Sequence, residues 1–285
     1  MIKIILPLIL YFFSVTCSAA ESFQSKINLE MYAISDNFGN QTQARSIDGT
    51  YYSYEIDPDF YPISDAGHLS RSSYVRFYYE LSNYDLPQTM QEGETKAHSV
   101  YWRYADPDSN TGWSLSRSQF KTNTGNEGVS HSLGFLQYLG DGLKSISMSY
   151  SRSDYAYNKV GGIDNDTMTS YAVTYYSVPD LTQSNVGLRV AYNSSRELED
   201  NGITYTSYAF SLQPKLYLSA KTNVSFRYLN IYSDFTTTRG SRYSLNLETF
   251  PVSSLSLNFY GSSFISNYAN TYNKTSYALS IGYWF

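Results

Sequence analysis

The stretch YALSIGYWF, residues 277–285, decides how this chain is read. Tyr277, Leu279, Ile281, Tyr283 and Phe285 share one parity, and Ala278, Ser280, Gly282 and Trp284 share the other. Successive side chains of an extended strand point to opposite faces, so this is a strand with one apolar side and one mostly small or polar side. A chain ending on aromatic residues at strand spacing exposes a wide apolar stripe that something must cover.

The other end names the compartment. Lys3 is a positive n-region, Ile4–Phe13 is an apolar core broken only by Pro7, and Ser18 and Ala20 are small residues placed for cleavage before Glu21. The run is shorter than the roughly 20 residues a membrane helix needs. We therefore expect residues 1–20 to be a signal peptide and 21–285 a single exported domain. A lipoprotein with Cys17 as its lipidated residue is the alternative, and Thr16 and Ser14 suit it poorly. Cys17 is the only cysteine, so a domain built on disulfides is excluded.

With an export signal at one end, the other end resembles the C-terminal signal of Gram-negative outer-membrane proteins. Those end on a strand finishing in Phe that the barrel-assembly machinery reads. The resemblance implies a bacterial outer-membrane location and makes Tyr283 and Phe285 the assembly signal.

Composition agrees with a barrel and would mislead a search for membrane helices. Mean hydropathy is −0.38. Removing residues 1–20 takes away Lys3 and moves the net charge from −5 to −6. Barrel strands alternate lipid-facing and lumen-facing residues, so they average to mild polarity. The 31 tyrosines, with 15 Phe and 3 Trp, suit the interfacial girdles of such barrels. A Tyr-rich soluble β-sandwich is the competing architecture.

Short alternating segments separated by Gly, Pro, Asn and Asp clusters predict strands near 24–34, 49–57, 71–81, 97–104, 113–121, 129–139 and 143–153. The series continues near 168–177, 185–192, 203–211, 222–232, 241–249, 254–261 and 276–285. The fold class is thus all-β, an antiparallel transmembrane barrel of about 14 strands. Twelve strands with an N-terminal extension is the alternative, because 35–48 and 58–70 are hard to place. Extracellular loops at 154–167, 194–202, 233–240 and 262–275 are expected to exceed the periplasmic turns in length. The connector 212–221 breaks that rule.

Parity then sorts the charges. Arg76, Arg103, Arg189, Arg227 and Arg242 fall opposite the apolar face, with Lys26, Glu30, Glu55, Glu80 and Glu248. Tyr74, Tyr78 and Tyr101 share that inner face, as do Ser145, Ser147, Ser149 and Ser151. Such a face suits water better than a dry core, since an unsatisfied buried polar group costs about 1–3 kcal/mol. The inward Arg and Tyr residues, with Glu80 and Glu248, are the candidate pore lining. They either brace the wall by pairing across strands or create a field favouring anionic or sugar solutes. In architecture the mature chain resembles monomeric porins of roughly fourteen strands, and more loosely porins for acidic oligosaccharides. No motif specific to one such family is present.

Chemistry is harder to find. Histidines number three, His68, His98 and His131. Two residues beyond His131 stands Leu133 rather than Ser, and Ser132 has the other parity, so no His–Ser pair forms on one strand face. Asp164 and Asp166 share parity without an opposed His. Neither a catalytic set, a metal or cofactor motif, nor a basic arm for nucleic acid is recognised. The expectation is a non-enzymatic pore for small hydrophilic solutes, in contact with outer-membrane lipid and lipopolysaccharide. The alternatives are a barrel for surface binding or envelope structure and, less favoured, a barrel hydrolase.

Overall fold

The computed structural model describes residues 23–56, 65–86, 91–106, 108–140, 143–159, 162–181, 184–234, 238–252, 254–266 and 272–285. The proposed signal peptide, residues 1–20, lies outside the described residues.

Fourteen strands run in chain order: β1 (Phe23–Asp36), β2 (Gln41–Ile56), β3 (Tyr74–Leu86), β4 (Gln91–Asp106), β5 (Thr111–Thr122), β6 (Glu127–Leu139) and β7 (Lys144–Lys159). They continue as β8 (Gly162–Ser177), β9 (Val186–Leu198), β10 (Thr204–Ser219), β11 (Thr222–Ser233), β12 (Thr238–Val252), β13 (Leu255–Ser266) and β14 (Tyr272–Trp284). Each pairs antiparallel with its sequence neighbours, and β1 pairs with β14 to close the ring. The chain ends make the seam: the Phe285 N–H donates to the Ser25 carbonyl (2.8 Å), and the Phe285 carbonyl accepts from Gln24 and Ser25 (3.0 and 2.7 Å). Closure leaves no unpaired edge. The fourteen-strand expectation holds, and the twelve-strand alternative falls because β1 and β2 are full members of the wall.

Two expectations about connectors are corrected. Residues 154–159 and 162–167 are not loop. They extend β7 and β8 as a paired ribbon, from Asp154↔Thr167 out to Lys159↔Gly162. Backbone groups in water are satisfied equally well by a continued ladder, and alternation persists through this polar stretch. The rim away from the termini accordingly carries connectors of only two to five residues. Gly125 (φ 89°) and Gly202 (φ 82°) take the left-handed conformation that such tight turns demand. The supposed connector 212–221 is mostly strand. Lys215↔Ser225 keeps the register of Leu212↔Tyr228 across Gln213 and Pro214, which drop out of the β10–β11 ladder, Pro having no N–H to give, and the register shifts once, at Leu218. The longest connector, 57–73, instead sits at the end that carries both termini.

The outer surface carries an apolar belt. Phe77, Met148 and Leu245 leave 58, 56 and 57% of their surface exposed, which water would penalise and hydrocarbon does not. Outward aromatics gather in two zones. Trp113 and Phe135 meet edge-to-face beside Tyr104 near the terminal end. Tyr192, Tyr208 and Tyr232 stack in series toward the far rim. Strands of 12–16 residues exceed the roughly 9–11 that cross a bilayer, so the wall stands out of the membrane.

Inside the terminal end lies a small dry core of Tyr52, Ile56, Ala66, Phe250 and Trp284, with Tyr74 packed against it. Phe250 meets Trp284 edge-to-face at 5.6 Å. The inner face is therefore not polar throughout. Trp284, on the polar side of the C-terminal alternation, is 3% exposed because residues arriving from the β2–β3 connector cover it.

Candidate functional site

The connector between β2 and β3 supplies the main feature of the lumen. Its described part, residues 65–73, contains one turn of helix, α1 (Ala66–Leu69), and lies across the inside of the barrel as a strap. It leaves the wall between β2 and β3 yet is anchored on β8 and β10. β3 and β10 stand seven places apart in the ring of fourteen, so the strap reaches the opposite wall.

Asp65 is the far anchor. Its carboxylate accepts from Lys215 Nζ (3.0 and 3.2 Å), from the Tyr217 hydroxyl (2.6 Å) and from the Tyr176 hydroxyl. The carboxyl side chain is 6% exposed and the Lys215 side chain 16%. Two charges taken this far from water are tolerable only when paired and hydrogen-bonded. Here one carboxylate receives all three donors, so the strap is held by a polar clamp rather than by loose contact.

His68 is the second anchor. Nε2 lies 3.2 Å from Ser145 Oγ on β7, and Nδ1 lies 3.5 Å from an Arg103 guanidinium nitrogen on β4. Its ring meets Tyr176 edge-on at 5.0 Å. The Tyr138 hydroxyl donates to the His68 carbonyl (2.8 Å) and accepts from Arg103 Nη2. His68 belongs to the connector, outside the spanning strands. Burial, reinforced by the Arg103 charge, pushes its pKa down to about 3, so the docked ring is neutral. Further along, Arg71 donates to Asn110 Oδ1, and Ser72 faces Ser53 at 3.3 Å.

The candidate lining residues divide by what holds them. Arg76 forms an ion pair with Asp48 (2.8 Å), and Glu80 accepts from Tyr32 (2.8 Å) and Tyr78. Arg103 is 6% exposed, under the strap, with Tyr74 and Tyr138 on either side. Tyr74 also stacks on Tyr101 (5.5 Å). Glu248 accepts from Asn223 Nδ2 (3.2 Å), while Glu55 lies exposed near the end of β2, past a shift in the β1–β2 register. Arg227 Nε donates to Ser211 Oγ (3.2 Å), and Arg242 lies over the Phe264 ring (5.6 Å). Arg189, Gln213, Lys215, Tyr217 and Asn246 border a cavity of ≈ 180 Å³ beside the Asp65 anchor.

A charge pattern results. Glu30, Asp48 and Glu80 stand on neighbouring strands β1–β3. Arg189, Arg227 and Arg242 stand on β9, β11 and β12, within electrostatic range of one another. Arg76 and Arg103, grouped with these from the sequence, are instead joined to Asp48 and to the strap. The far mouth is acidic on one side, where Glu197 feels Asp166 and Glu199.

Sequence reading did not find Asp65, Tyr138, Tyr176, Lys215 or Tyr217. The available signal was length: residues 58–70 fit neither a strand nor a tight turn. Residues 57–64 lie outside the described residues.

No protein-family model matches the chain, and no curated protein matches it by sequence. Solved structures do. The Acinetobacter baumannii outer membrane protein Omp33 is similar with a TM-score of 0.57 and 12% identity, over 93% of this chain and 99% of that one. A mutant of the TodX monoaromatic hydrocarbon channel gives 0.55 and 7%, over 93% and 90%. OmpT of Vibrio cholerae gives 0.52 and 10%, over 94% and 99%. At these identities the likeness is one of fold, that of a bacterial outer-membrane β-barrel.

Proposed function

We propose that this chain is a passive outer-membrane channel for small hydrophilic solutes, narrowed at its periplasmic mouth by the 65–73 strap. The observation that carries the reading is the opposition of two surfaces on one closed wall. Apolar side chains such as Phe77 and Leu245 cover the outside, while Ser, Tyr and charged groups meet inside. Both termini lie at the strap end, and a chain delivered from the periplasm leaves its ends there. In this reading Tyr283 and Phe285, stacked at 5.8 Å at the seam, are what the barrel-assembly machinery engages. The channel works by diffusion, without covalent chemistry.

The finer reading is a preference for anionic or sugar solutes. Its support is the row Arg189, Arg227 and Arg242, which form no ion pair among the described residues. Because the far mouth is acidic, any preference is set below it. The test is planar-bilayer recording in a salt gradient. We expect steady conductance, with a reversal potential displaced toward anions and moved toward zero by joint replacement of the three arginines with Ser. A silent bilayer containing folded protein would overturn the channel. Unchanged selectivity in the triple variant would overturn the filter alone. A surface-binding barrel is less well supported, since connectors of two to five residues offer little binding apparatus at the far rim.

A further inference from the structure

The lumen leaves one group of basic side chains unused. Arg117 on β5, His131 on β6 and Arg152 on β7 are direct register partners, Arg117↔His131 and His131↔Arg152. All three are exposed. They share parity with Leu115, Leu133 and Tyr150, the outward residues one step nearer the membrane middle, which are 50, 48 and 39% exposed. The three basic side chains thus stand abreast on the lipid side of the wall, directly above an apolar shelf. Neighbouring strands lie about 4.8 Å apart, so the row spans about 10 Å.

We propose that this row binds the phosphate of a phosphorylated glycolipid in the outer leaflet, with its acyl chains on the Leu115–Leu133–Tyr150 shelf. The inference rests on the membrane placement given above, because the far rim must face the cell exterior. Three observations favour a phosphate-bearing lipid over mere exposure to water. The row lies at the edge of the apolar belt, where a basic side chain meets headgroups, and an Arg there costs far less than at the midplane. Guanidinium groups offer planar, paired donors that match phosphate oxygens. The row itself, from Val100 through Arg117, His131, Arg152 and Thr169 to Arg196, contains no carboxylate. The nearest acid is Asp154, one step toward the rim, 3.3 Å from Arg152. Both members of that pair are more than half exposed, so it is too weak to hold Arg152 against a phosphate.

The test uses the full mature barrel in mild detergent and native mass spectrometry. The probes are a bisphosphorylated lipid A, its dephosphorylated form and inorganic phosphate. The wild type is expected to retain the phosphorylated lipid, and Arg117→Ser with Arg152→Ser to bind it about thirtyfold more weakly, the loss of two cations at an anionic lipid surface. Arg45→Ser, an outward arginine on β2, is expected to leave binding unchanged. Equal affinity of the double variant, or equal affinity for dephosphorylated lipid, overturns the proposal. Displacement of the lipid by millimolar inorganic phosphate would reduce the row to a general anion site and also overturn it. Folding is checked by heat-modifiable gel mobility; if the double variant does not fold, Arg117→Gln alone, expected to weaken binding about fivefold, decides. Conductance recorded on the same samples separates the two readings. Lipid-free but conducting barrels reject this inference only, and lipid-binding but silent barrels reject the channel only.

Discussion

Replacing Asp65 with Ala should free the strap. In the folded barrel this carboxylate is 6% exposed and receives Lys215, Tyr176 and Tyr217 together. Removing one member of a buried ion pair leaves the other charge unpaired, at a cost of about 3–5 kcal/mol. Because the lost contacts join the strap to the opposite wall, the cost falls on docking rather than on the barrel ladder. At about 1.4 kcal/mol per decade, the docked-to-released ratio should fall by about two orders of magnitude or more. His68, Ala66 and the Ile56 cluster remain, so the release should be dynamic rather than permanent. Single-channel recording would then show larger or flickering conductance, and a protease added at the terminal side should cut within 57–73 in the variant before the wild type. A compensating variant sharpens the test. Asp65→Leu with Lys215→Met, Tyr176→Phe and Tyr217→Phe removes both charges and the two hydroxyls that would lose their acceptor, a change that is often neutral or stabilising, and it should restore docking. Wild-type conductance together with wild-type protection in Asp65→Ala would refute the reasoning, because the clamp would then carry no docking energy.

Acid should loosen the strap through His68. The docked ring has its pKa depressed to about 3 from an ordinary 6.5, so docking is fully supported above about 6.5 and weakens as pH falls below it. Between pH 6 and 4 the docked-to-released ratio should drop about tenfold per unit, read as rising conductance. Asp65, Arg103, Tyr138 and Tyr176 also face this region, so His68→Gln is the discriminating variant and should flatten the dependence. The outer belt yields a separate expectation. Leu245, in the middle of β12 and 57% exposed, should cost about 2–4 kcal/mol when changed to Arg, measured by denaturant unfolding from lipid vesicles. No loss there would mean that this face does not meet hydrocarbon.

Much of this protein could be read from local pattern. Alternation along 277–285 gives a strand with two unlike faces, and the same parity rule places Phe77, Met148 and Leu245 outward. It works because a strand's side-chain period is two whatever the strand packs against, and because a two-solvent wall imposes that period on every strand. Even the strand number followed, since each strand needs its own alternating segment and turn. Other features had no local signature. Whether the polar residues 154–159 and 162–167 form a loop or a ribbon depends on the partner strand, and Pro214 looks like a breaker until β9 is seen to pair with it through Leu188.

The strap across the mouth lies wholly at the tertiary level. Asp65 and Tyr217 are 152 residues apart, and nothing near either announces the other. Trp284 belongs by parity to the polar face, but Ile56 and Ala66 cover it and make that spot dry. The row of Arg117, His131 and Arg152 exists only once strand register is set. Sequence alone therefore determined that alternate residues meet oil and water, because that rule acts between neighbours along the chain. Only the closed ring decided which groups meet across the lumen, because closure brings together residues that no local rule connects.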